Sequence, residues 1–219
     1  MSIKQQHHFW GENSPLGGLT GIGLLIMASA RLSWAITVSV GLFWIYGLTA
    51  LTFAFLASPA CKKIFPQTGR IYVFVCLASF FGSIYILMFW LLSPFAVVEV
   101  LLPLLLVPLF CTISEIPQRI ILLSDKTNID IVDCVTDAIS QAAVLAGLLI
   151  AFSLIREPLA YSSLSFPGTN QGMIVIVHFW ESAIFPAGIF TASAGALLLL
   201  GYFICLYQYF REKFFQGNV

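Results

Sequence analysis

Five apolar runs punctuate this chain: Trp34 to Ala57, Ile71 to Leu92, Phe95 to Ile113, Ala138 to Ile155 and Ala183 to Tyr207. Each approaches or exceeds the roughly 20 residues that a helix needs to cross a hydrocarbon core about 30 Å thick. Only helices and closed barrels satisfy their own backbone polar groups in a bilayer, and runs of this length specify helices. Composition agrees, because a chain of 219 residues that is 59% hydrophobic and 9% charged has too little polar surface for a water-soluble domain. The chain therefore reads as an all-α polytopic membrane protein, one integral membrane domain over residues 1–219.

A sixth, shorter run extends from Leu16 to Ala30 and carries Gly17, Gly18, Gly21 and Gly23, which lower helix propensity. The dozen residues before it are polar and contain acid as well as base, unlike a secretory signal, so the run reads as a part-spanning or broken helix. Basic residues set the orientation, since Lys and Arg near short loops stay cytoplasmic. With the N-terminus inside, Lys4, Lys62, Lys63, Arg70, Arg119, Lys126, Arg211 and Lys213 share the cytoplasmic side, against Arg31 and Arg156 opposite. Six spans with both termini cytoplasmic follow. The ten basic and ten acidic residues cancel, which gives no argument for a nucleic-acid partner.

The chain divides into two halves of three spans, about 16–93 and 95–210, and each half opens with a broken apolar segment. The first is Gly17 to Ser29; the second, Leu101 to Cys111, is interrupted by Pro103 and Pro108. Short or Gly/Pro-interrupted segments at matching positions mark inverted repeats with a site near the midplane. Three spans per half is an odd number, so the halves insert with opposite orientation.

Several stretches carry a resemblance to a known family. They are Trp10-Gly-Glu-Asn-Ser-Pro-Leu16, Gly21-Ile22, Ala35-Ile-Thr37, Pro66 with Arg70-Ile71, and Leu102-Pro-Leu104. Asp137 then stands nineteen residues before Arg156-Glu157, followed by Leu164 to Gly168 and Phe185-Pro-Ala-Gly188. Taken in order along nearly the whole chain, this pattern resembles the membrane subunits shared by the Rnf and sodium-translocating NADH:quinone reductase (Nqr) complexes. The inside N-terminus is closest to the Rnf E and Nqr D type. The resemblance implies an inner-membrane subunit paired with a paralogue of opposite topology and accompanied by flavin- and iron–sulfur-bearing subunits. Each half-helix of such a pair offers one cysteine, and four thiolates hold a [2Fe-2S] cluster midway across the membrane. Electrons crossing there are coupled to Na+ or H+ translocation, and the subunit has no catalytic activity alone.

The ligand positions depart from that pattern. The first family cysteine aligns with Gly23 and the second with Leu109, while Cys111 lies two residues on and Pro108 replaces the usual Asn. Glycine and leucine cannot ligate iron. Either the register slips and Cys111 is a ligand short of a partner, or the cluster has been lost or moved to other subunits. The five cysteines, Cys61, Cys76, Cys111, Cys134 and Cys205, show no Cys-x-x-Cys spacing, and all but Cys111 read as buried apolar fillers.

Charges within spans supply the other candidates, because each costs several kcal/mol unless paired or facing a cavity. Glu99 lies about 8 Å into its span by the helical rise, either an interfacial carboxylate near a helix start or a cation or proton site. Asp133 and Asp137 share a helix face at i, i+4, where they either simply start a helix or attract ions to the cytoplasmic mouth. Arg156-Glu157 before Pro158 reads as a helix end with interfacial charges, Arg156 snorkelling outward. Arg31, directly after the first broken segment, needs a cavity, a carboxylate or a carrier if that segment stops mid-membrane, and is an ordinary interface residue if the segment is a full span. His178 and Glu181, before the last span, read as interfacial. Two other classes compete: an inverted-repeat small-molecule or ion transporter without a redox role, and an intramembrane protease. The protease rests on Glu115-Ile-Pro-Gln-Arg119, where Pro117 interrupts the motif and only His178 follows.

Overall fold

The computed structural model describes residues 19–56, 67–92, 101, 104, 105, 107, 131–168, 173–178 and 188–215. Their elements are α1 (Leu19–Ala28), α2 (Leu32–Leu56), α3 (Gln67–Leu92), α4 (Ile131–Tyr161), β1 (Ser163–Pro167), β2 (Met173–His178), a 3-10 turn (Gly188–Phe190) and α5 (Ser193–Phe215). Three helical stretches are long and apolar enough to cross a membrane: Leu32–Thr52, Tyr72–Leu92 and Ala138–Tyr161. The protein is mostly helical and membrane-embedded, as its sequence requires.

The core forms around α2, which packs against α3, α4 and β1. On α4, Ala138, Ala142 and Ala146 recur every four residues and are all buried. Small side chains let helix backbones approach where lipid supplies no hydrophobic drive between helices. From α2, Ala35, Val38, Leu42, Ile45, Tyr46 and Ala50 enter the same cluster. The buried hydroxyls of Thr37, Ser39 and Thr49 donate to the carbonyls of Ser33, Ala35 and Ile45, one turn back, and so cost no unmet hydrogen bond.

Tyr85 fixes α3 against α2. Its hydroxyl donates to the Thr37 carbonyl at 2.7 Å, which sets the end of α3 beside the beginning of α2 and makes the two antiparallel. A Cβ on Gly41 would lie 2.9 Å from the Tyr85 ring, so that close approach requires glycine. The opposite side of α3 presents Tyr72, Phe80, Leu87, Trp90, Leu91 and Leu92 outward, as a lipid-facing helix does.

The segment expected as a broken first helix is α1, ten described residues that stop in a tight turn before α2. Of the second broken segment, Leu101, Leu104, Leu105 and Val107 have helical backbone, and Leu104 and Val107 join the same core cluster as Leu24 and Leu25. The expected fourth span otherwise lies outside the described residues.

Two expectations are corrected. The chain is not purely α: Ser163–Pro167 and Met173–His178 pair as an antiparallel hairpin, with a register shift between Leu164 and Ser165. β-Branched Ile174-Val-Ile-Val177 suits a strand. The last helix begins at Ser193, not Ala183, after the 3-10 turn, and its apolar part, Ser193–Leu206, is shorter than a full span. Gly195 makes this corner possible, because a Cβ there would collide with the Ile189 carbonyl oxygen. Gly201 has nothing within 4 Å of its Cβ position. Thermal unfolding in detergent should therefore separate the two glycines. Gly195→Val should lower stability by about 2–3 kcal/mol through overpacking, whereas Gly201→Ala should leave it unchanged or raise it by up to about 1 kcal/mol.

Candidate functional site

Three chain segments meet at one end of the helices: the α1–α2 turn, the last turns of α4, and residues 190–192 before α5. Arg156 and Glu157, consecutive on α4, join them. They are 2% and 1% exposed. The expected helix end at Pro158 and the outward snorkelling of Arg156 are therefore corrected: α4 continues through Pro158 to Tyr161 and both charges are enclosed by protein. The reason is visible in what they bind.

A helix leaves its last carbonyls and first amides without partners. At the end of α1, Arg156 Nη1 donates to the Ile26 carbonyl at 2.6 Å and to the Ser29 hydroxyl at 3.2 Å. Its Nε donates to the Phe190 carbonyl at 3.0 Å, and Nη2 lies 3.3 Å and 3.4 Å from the Thr191 and Ala192 carbonyls. Only a guanidinium has a planar fork of donors that serves two backbones at once. At the start of α2, the Leu32 amide donates to Glu157 Oε2 at 2.7 Å. A cation thus sits at the negative end of one helix dipole and an anion at the positive end of the next.

The second layer holds the carboxylate. Both the hydroxyl and the backbone amide of Ser165, on β1, hydrogen-bond to Glu157. The Ser165 hydroxyl is also 3.3 Å from that of Ser33, in the first turn of α2. Arg31 attracts the same carboxylate. Its guanidinium lies 4.9 Å from the Tyr161 ring centre and 5.9 Å from that of Trp34, both within cation–π range. Of the partners expected for Arg31, the carboxylate is thus Glu157, and the Tyr161 and Trp34 rings join it. Ser162, at φ 53°, takes the left-handed conformation that ends α4, and its amide donates to the Pro158 carbonyl at 3.0 Å.

The other sequence candidates do not converge here. Gly23 lies within α1 with nothing within 4 Å of its Cβ position. Asp137 belongs to α4, but its side chain, with those of Asp133 and Cys134, lies outside the described residues, as do Glu99, Leu109, Cys111, Cys61, Glu181 and the Glu115–Arg119 motif. His178 ends β2, exposed. Cys76 and Cys205 are exposed rather than buried, on α3 and α5. Among the described residues no group of three His, Cys, Asp or Glu side chains could hold a metal ion. Gly23 has no side chain to ligate iron and the two described thiols stand on helices outside the broken segments, so the described residues do not fit a [2Fe-2S] cluster.

What the residue pattern did offer was an Arg–Glu pair closing an otherwise uncharged run. An ionisable pair at the end of a span marks a site with partners elsewhere in the fold. No family model matches the chain, and no curated protein matches it.

The clasp orders its variants. Glu157→Ala should cost about 2 kcal/mol by stranding the Leu32 amide, and Glu157→Gln, which keeps an acceptor, about half as much. Arg156→Ala should be the worst, about 3 kcal/mol or more, since it strands carbonyls on two segments. Unfolding of the three purified variants by denaturant titration in detergent checks that ranking.

Proposed function

We propose that this chain is a membrane subunit of an Rnf/Nqr-type ion-motive electron-transfer complex, serving there as scaffold for a paired half-helix centre. The observation that supports the reading is that both broken segments reach the same core. Leu24 and Leu25 of α1 and Leu104 and Val107 of the second segment enter one core cluster, as inverted repeats with interrupted helices turned toward the protein interior would require. A six-span chain with both termini cytoplasmic belongs to the same proposal.

Gly23 adds a second support. Among the described residues nothing lies within 4 Å of its Cβ position, and the paralogue of opposite topology is the partner the reading assigns to this position of α1. Glycine at this place lets a neighbouring backbone come close while contributing no thiolate. Electron carriers then reside on partner subunits, with flavins and iron–sulfur groups held there, and the coupled ion is Na+ or H+. This chain holds the pair together in the membrane.

Purification under mild detergent from the native membrane tests the proposal. Flavoprotein and paralogous subunits should co-purify, and EPR should show no [2Fe-2S] signal that depends on this chain. A cluster signal abolished by Cys111→Ala would contradict the scaffold role, and isolation without redox partners would favour a transporter. Gly23→Leu should leave the stability of the isolated subunit within about 1 kcal/mol of the parent, yet reduce the yield of co-purified paralogue. Unchanged yield would remove α1 from the interface.

A further inference from the structure

The hairpin between α4 and α5 carries a surface that neither the clasp nor the proposed pairing uses. β2 exposes Ile174 at 59%, Val175 at 42%, Ile176 at 60% and Val177 at 39%, and Phe166 on β1 is 44% exposed. Successive strand residues point to opposite faces, so both faces of β2 are apolar and uncovered. A hairpin projecting into water keeps a polar face. β2 from Ile174 to Val177 has none, and no Asp, Glu, Lys or Arg occurs between Glu157 and Glu181.

Its depth is fixed by what β1 touches. Ser165, the third residue of β1, is buried and meets Ser33 and Glu157. Those two residues lie inside the stretches Leu32–Thr52 and Ala138–Tyr161, each long and apolar enough to cross a membrane. The hairpin therefore lies against the span ends, at the level of the membrane boundary. Leu154 and Ile155 of α4 and Ile189 of the 3-10 turn are exposed apolar residues as well.

We infer that the β1–β2 hairpin is a lipid-contacting element, with Phe166 and β2 seated in the interfacial layer of the bilayer leaflet next to the Arg156–Glu157 clasp. The hydrocarbon centre does not tolerate an open strand edge, because its amides and carbonyls would go unmet. The interfacial layer accepts both features: acyl chains cover the side chains, while headgroups and water bond the edge of β2. The inference is independent of the redox reading, since it needs only a membrane-embedded chain.

The test places an environment-sensitive fluorescent non-natural residue at position 176 of the full chain in lipid nanodiscs, with position 174 as the second site should the first not fold. Nitroxide lipids labelled near the headgroup should reduce emission by about twofold, more than lipids labelled deep in the acyl chain and more than aqueous iodide, as interfacial depth requires. Quenching by iodide alone would put the hairpin in water and overturn the inference. Protection from all three quenchers would overturn it in favour of a protein partner.

Discussion

Two adjacent side chains of opposite charge, Arg156 and Glu157, complete the backbone hydrogen bonding of three other segments. A helix that stops inside a membrane protein exposes carbonyls at one end, and the next helix exposes amides at its start. Water cannot supply those partners in a dry interior, where each unmet group costs a few kcal/mol. Here one residue of α4 takes the carbonyls of α1 and of the turn before α5, and the next takes the first amide of α2. The short α1 and the tight turn after it depend on that arrangement.

Burial of the charges is costly in itself, of the order of several kcal/mol per ion. The cost is offset by the number of bonds and by sign. Arg156 has donor contacts to five oxygens. Glu157 accepts from Leu32 and Ser165 and is attracted by Arg31, which in turn lies over Tyr161 and Trp34. Removing one member strands the others, so the cluster behaves as a unit. It also ties the first half of the chain to the second, since Ile26 and Ala192 meet on one guanidinium.

Much of the helical layout was legible from residue pattern alone. The apolar runs at 34–57, 71–92 and 138–155 correspond to α2, α3 and α4, and the glycine-rich run corresponds to a short α1. What escaped was set by distant contacts. Arg156-Glu157-Pro158 resembles a helix stop because proline gives up an amide. Contacts with α1, α2 and β1, up to 130 positions away in sequence, hold that last turn in place. The strand Met173–His178 escaped for a similar reason, as a short apolar run beside a longer one gives periodicity little to work with. Gly23 and Arg31 were visible as anomalies, and the fold explains Arg31 through Glu157 and two rings. Glu99 and Cys111 lie outside the described residues.

The central claim is that Arg156 and Glu157 hold the α1–α2 turn, and hydrogen–deuterium exchange in nanodiscs tests it most directly. In Glu157→Ala, exchange should rise selectively in a peptide covering residues 26–35, while the middle of α2, residues 42–50, stays as protected as in the parent protein. Equal protection of the turn in both proteins would contradict the account, and so would a uniform rise along α2.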